Sequence, residues 1–100
     1  MATRMTILTD ARAEALFASD LSAWSQPTRA DVEAAIRHAV RRYGGIRGCL
    51  GQVAAEYGDH PDGAVRRMRW ARRIVSATYG NPPQDEITVR RRPGTLALAA

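Results

Sequence analysis

Through most of the first eighty residues apolar side chains recur at three- and four-residue intervals, and this spacing predicts helices. Thr9 or Asp10 can cap a first helix running to Phe17 or Ala18, built from good helix formers. Residues 5–8 before it alternate weakly, a pattern compatible with a short strand. Residues 19–27 read as a loop, with Leu21 and Trp24 expected against the core. The next helix start is better marked. Thr28 stands three residues before Asp31, just after Pro27, which is the arrangement of a capping box. Val32, Ala35, Ile36, Ala39, Val40 and Tyr43 then form one apolar stripe, with Glu33, Arg37 and Arg41 on the other side. Gly44 and Gly45 end this helix, since glycine accepts the left-handed conformation of a C-cap.

A third helix is predicted over residues 46–57, with Ile46, Cys49, Leu50, Val53 and Tyr57 on its apolar side. Gly48 and Gly51 each weaken it by ~1 kcal/mol relative to Ala, and point to another helix passing close. Gly58 is expected to end it, and Asp59 to cap a fourth helix with Pro61 in its first turn. That helix runs to about Tyr79, where Gly80, Pro82 and Pro83 stop it. Residues 81–100 fit either a hairpin around Pro93-Gly94, with Ile87, Val89, Leu96 and Leu98 alternating, or a basic tail, and the tail is preferred. The expected fold is therefore all-α: a small four-helix bundle over residues 1–80 that contains a helix-turn-helix, followed by a short irregular or hairpin tail over 81–100.

Charge sharpens this picture. The net charge of +5 is concentrated in residues 60–80, which hold five Arg and one Asp, whereas residues 1–59 hold seven of each sign. All fifteen basic residues are Arg. Codon bias explains that preference; the clustering of Arg is the more informative feature, because a planar guanidinium fork suits phosphate and carboxylate. On the fourth helix, at 100° per residue, Met68, Ala71, Ile74, Val75 and Thr78 face inward. Arg66, Arg69 and Arg73 face outward, with Arg72 at the edge, Trp70 bordering the stripe and Arg67 toward the apolar flank. Such a surface grips phosphates while an indole packs on sugar or base, or it is simply a solvated face with Trp70 closing the core. Arg42 and Arg47, with Arg41, flank the Gly44-Gly45 turn and extend the basic surface; helix C-terminal charge also accounts for Arg41 and Arg42.

The segments Val53-Ala-Ala-Glu-Tyr-Gly58 and Ala64-Val-Arg-Arg-Met68 read as a helix, a glycine turn and a second helix packing back through Val65 and Met68. Together with Val32-Glu-Ala-Ala-Ile-Arg-His-Ala-Val40 and Tyr43-Gly-Gly45, residues 31–68 resemble the Fis-type helix-turn-helix domain found at the end of many bacterial regulators. The resemblance implies a DNA-binding transcriptional regulator, with the fourth helix in the major groove of duplex DNA and a homodimer as the working form. The helical projection and the arginines beside the Gly44-Gly45 turn give the expected DNA contacts: Arg66, Arg69, Trp70, Arg72, Arg73, Arg47 and Arg42. The segment between Gly58 and Val65 is one residue longer than the family spacing, and Asp59 and Asp62 place negative charge near the helix start.

Other chemistry is missing from the pattern. No His, Cys or carboxylate set has metal-ligand spacing, and Cys49 has no His partner for a nucleophilic dyad. The glycine-rich run 44–51 lacks the Gly-Lys-Ser/Thr ending of a P-loop. The expectation is a non-enzyme without cofactor or metal. One cysteine, no apolar run of membrane length and no signal peptide suggest a cytoplasmic protein without a membrane partner. The alternative to DNA is a non-enzymatic interaction module that docks its Arg/Trp face on an acidic protein, such as a subunit of the transcription machinery. The last residues, Leu96 to Ala100, resemble bacterial degradation tags.

Overall fold

A computed structural model describes residues 3–80, and all regular structure within them is α-helical. The elements are α1 (Thr3–Ala18), α2 (Arg29–Tyr43), α3 (Ile46–Asp59) and α4 (Pro61–Tyr79). The four-helix, all-α class predicted from periodicity is therefore present. The residues proposed to form a hairpin or tail lie outside the described range.

The first helix organises the bundle: all four helices touch one another, and the contacts of α1 are the most extensive. Its C-terminal half is buried on more than one side: Ala13, Leu16 and Phe17 meet Val32, Ala64, Met68, Trp70, Ala71 and Val75 in the main core. Ala15 meets Ala39 and Cys49 in a second cluster. Alanine at positions 13 and 15 lets neighbouring helices come close to the α1 backbone. The weak strand expected over residues 5–8 is instead the first part of α1, which begins at Thr3 rather than near Thr9. No strand among the described residues offers those residues a partner, so continuation of the helix satisfies their backbone. Ile7 and Leu8 are exposed there, which explains why their alternation did not report a buried face.

The helix ends are built in different ways. At the start of α2 the Asp31 N–H donates to Thr28 Oγ1 at 3.1 Å, and the Thr28 N–H donates to the Asp31 carboxylate at 3.0 Å. This reciprocal pair is the capping box expected from the sequence. Gly44 (φ 77°) closes α2 and Gly80 (φ 63°) closes α4, both in the left-handed region. The α3–α4 junction departs from expectation. Gly58 and Asp59 are the end of α3 rather than a turn and a cap, and the two helices are joined by His60 alone. The His60 N–H donates to the Glu56 carbonyl and its carbonyl accepts from the Ala64 N–H, so backbone bonding runs nearly unbroken through the link. Pro61 stands in the first turn, where its missing N–H costs nothing. Val65, expected to anchor α4 inward, is 38% exposed; Ala64 takes the buried position next to it.

α1 has no glycine at its C-terminus, and its last carbonyls are satisfied from elsewhere. Arg67 reaches across from α4. Its Nε donates to the Phe17 carbonyl at 3.0 Å and its Nη1 to Leu21 at 2.8 Å. Its Nη2 donates to Ser19 at 2.9 Å and Leu16 at 3.4 Å. One guanidinium thus caps a helix, holds the start of the following loop and sits at the negative end of the α1 dipole. Its carbon also lies 4.3 Å from the Trp70 ring centre. Burial lowers the Arg67 pKa from the usual guanidinium value, against the pull of Asp20 and Glu56.

The 19–27 loop shows why only one of its two large apolar residues packs. The Ser19 hydroxyl donates to the Leu16 carbonyl at 2.6 Å and accepts from the Leu21 N–H at 3.2 Å, so Leu21 stays against the core. Ser22 then turns the chain. Its Oγ accepts from the Trp24 N–H at 3.1 Å and its carbonyl from the Ser25 N–H at 3.1 Å. Trp24 projects outward, 95% exposed, contrary to the expectation that it packs inward.

Two predictions follow from these helix ends. Arg67→Ala should lower unfolding free energy by ~2–4 kcal/mol, since a charged donor set is removed and buried carbonyls are left behind. Arg67→Lys should recover less than half of that, because a single ammonium cannot span four carbonyls; urea titrations with an unchanged m-value would measure both. The two helical glycines of α3 should respond in opposite directions. A Cβ at Gly48 would overlap the backbone carbonyl of Tyr43, whereas one at Gly51 meets nothing. Gly48→Ala should therefore cost ~1–3 kcal/mol and Gly51→Ala should stabilise by up to ~1 kcal/mol, read from the same titrations.

Candidate functional site

The outward face of α4 is built by the breadth of its buried face. Trp70, Ala71, Ala64, Val75 and Met68 are buried, an arc of about 160° at 100° per residue. Opposite that arc stand Asp62, Arg66, Arg69 and Arg73, all exposed. They follow one another at intervals of three and four residues and so form a single row. Among the described residues no carboxylate pairs with Arg66, Arg69 or Arg73.

The remaining candidate residues divide. Arg72 is exposed at the side of the row, and its Nη1 lies 3.5 Å from the Asp10 carboxylate of α1. Glu14 is close enough for Arg72 to act on its charge. Burial raises the Glu14 pKa, Asp10 raises it further, and Arg72 opposes both. Trp70 is only 5% exposed and belongs to the main core. It is not available to stack on a base or to dock on a partner, and the combined Arg/Trp face expected from the sequence does not exist. The cause is the width of the α4 buried arc together with Arg67, which covers the indole. The Trp70 Nε1 is buried and has no acceptor among the described residues.

Arg42 and Arg47 lie at the α2–α3 turn, away from the α4 row in the chain. Arg42 is 3.8 Å from Asp20 and its guanidinium carbon sits 5.4 Å from the Tyr43 ring centre. Arg47, in the first turn of α3, is exposed and has no partner among the described residues. Two further arginines have structural work. Arg12 and Arg29 lie over the Tyr79 ring at 3.8 and 4.8 Å, and Arg29 also pairs with Glu33 and donates to the Thr78 carbonyl. Sequence reasoning placed Arg67 on the apolar flank without finding its role. The signal was a helix, α1, that ends without a glycine and so needs donors from another element.

A cleft of about 350 Å³ lies between α1, α3 and α4, lined in part by Phe17, Gln52, Glu56 and Arg67. Its charged groups are already engaged: Arg67 by carbonyls of α1 and the following loop, and Glu56 by the His60 Nδ1 at 3.2 Å. Cys49 is buried, and burial together with the Glu14 charge pushes its thiol pKa up, away from thiolate reactivity at neutral pH. Among the described residues no three His, Cys, Asp or Glu side chains cluster as metal ligands, and no helix is long and apolar enough to cross a membrane. What the surface offers is a row of cations.

Comparison with known proteins adds no relative. The chain matches no protein-family model. It matches no curated protein and no solved structure.

Proposed function

We propose that this protein binds duplex DNA through the outward face of α4 and acts as a transcriptional or architectural DNA-binding protein. One observation carries the reading: Arg66, Arg69 and Arg73 stand in a row on one helix, none of them in an ion pair among the described residues, with Asp62 one turn before Arg66 as the single acid on that row. Like charges three and four apart oppose helix formation by ~0.2–0.5 kcal/mol per pair. The row therefore carries a folding cost that a polyanion offsets. Arginine forks suit phosphate oxygens, and contacts of this kind supply most of non-specific DNA affinity. The resemblance of residues 31–68 to Fis-type domains supports the same partner. The structure-bearing arginines, Arg12, Arg29 and Arg67, are set apart from this role by their own contacts.

A second reading, docking on an acidic protein, is favoured by Trp24. A tryptophan held outward on a hydrogen-bonded turn is a strong interface anchor.

Fluorescence anisotropy with a labelled duplex tests the first reading. Affinity should fall steeply between low and physiological salt. The double variant Arg69→Ala with Arg73→Ala should weaken binding roughly 50-fold at about 0.1 M salt, since each lost phosphate contact changes K by about the 0.9 power of the salt concentration. Trp24→Ala should leave DNA affinity within about twofold, whereas under the second reading it releases a protein partner captured after nuclease treatment. A flat salt response would remove the DNA reading.

A further inference from the structure

We infer that the α4 row holds the phosphates of one DNA strand and reads no base, so that the protein binds duplex DNA independently of sequence. This inference rests on the DNA reading above and specifies its mode.

When a helix of this kind enters the major groove, its N-terminal residues contact the base edges. In α4 those positions are Pro61, Asp62, Gly63, Ala64 and Val65. Pro61 and Gly63 bring no side-chain hydrogen-bonding group, Ala64 is buried and Val65 is apolar. Asp62 is the one polar side chain in this turn, and it lies on the outward row itself. It accepts but does not donate when ionised, so a base amino group such as that of cytosine is all it could take, and it repels the phosphates that wall the groove. Glu56, Asp59 and Asp62 together make the α3–α4 junction acidic, with His60 beside Glu56 and Arg67 also within reach of the Glu56 charge. Insertion of this end into a groove walled by phosphates is therefore opposed.

The donors come from residues one turn later, although the Arg66 Nη2 leans back to Gly63. Arg66, Arg69 and Arg73 span seven residues, ~10.5 Å of helix axis at 1.5 Å per residue. Phosphates of one strand advance ~3.4 Å each along the duplex axis and are farther apart along the winding backbone, so this length faces at most about three of them. The aromatic group that would stack on an opened base, Trp70, is inside the core. What remains is a short cationic row suited to run alongside a backbone rather than to enter the groove. Arg72, shared with Asp10, sits at its edge as a weaker contact.

The test uses the full chain and measures log K against log salt for random duplexes, with the single variants Arg66→Gln, Arg69→Gln and Arg73→Gln and their triple combination. All three sites are exposed, so the fold should persist, and circular dichroism checks it. Each single variant should make the slope less steep by about 0.9, and the triple variant by about 2.7. Shuffled duplexes of equal length and composition should bind within about threefold of one another. A selection from randomised duplexes that enriches one sequence by tenfold or more would overturn the inference while leaving DNA binding intact. Unchanged slopes in the triple variant would overturn it as well, by placing the contact elsewhere. Absence of duplex binding at low salt would instead remove the DNA reading on which it rests.

Discussion

The bundle depends on how the end of α1 is closed. This helix makes the most extensive contacts with the others, yet the chain leaves it through an irregular loop with no glycine cap. Carbonyls at its C-terminus would be costly to leave without donors in a half-buried position. Arg67 removes that cost at Phe17 and joins the Ser19 donors at Leu16, while its other two donations hold Ser19 and Leu21 in the loop. It comes from α4, so the same bonds that cap α1 also fix how α1 and α4 meet. They also hold Leu21, which keeps the loop over the core and delivers the chain to Thr28 for the start of α2. Because the guanidinium lies over Trp70, it further decides that this indole is a core residue and not a surface one.

A related device closes the other end of α4. Arg29, at the start of α2, donates to the Thr78 carbonyl, and both Arg29 and Arg12 lie over the Tyr79 ring. Gly80 completes that terminus in the left-handed conformation. Arginine therefore does two separate jobs in this molecule. Arg12, Arg29 and Arg67 replace caps and join helices, each through backbone carbonyls or aromatic faces. Arg66, Arg69 and Arg73 do neither and are left to solvent. The cationic surface is what remains of the arginine content after the fold has used its share.

Much of this was legible in the pattern of residues, and the failures are instructive. Thr28, Asp31, Gly44 and Gly80 each act on backbone groups within a few positions, so local chemistry was enough to mark them. The helical wheel of α4 placed Met68, Ala71 and Val75 inward and Arg66, Arg69 and Arg73 outward, because a long amphipathic helix has one energetically acceptable orientation. Trp70 was misjudged because a wheel gives direction but not the width of the buried arc; the latter depends on what other helices cover. Trp24 and Leu21 were indistinguishable by hydrophobicity, and Ser22 and Ser19 hydroxyl bonds separated them. Gly58 looked like a helix end, but α3 continues through it because the link to α4 is a single residue. Arg67 acts on residues 46 to 51 positions away in the chain, a distance at which no local pattern reports.

The division of the α4 arginines into one inward and several outward groups is the claim on which the account stands. It is tested most directly by NMR of the arginine Nε–H groups in the free protein. The account predicts one slowly exchanging Nε–H, assigned to Arg67 and coupled across its hydrogen bond to the Phe17 carbonyl, with those of Arg66, Arg69 and Arg73 exchanging at solvent-limited rates. Equally fast exchange at Arg67 and at the outward three, or protection at Arg69 or Arg73 in place of Arg67, would contradict it.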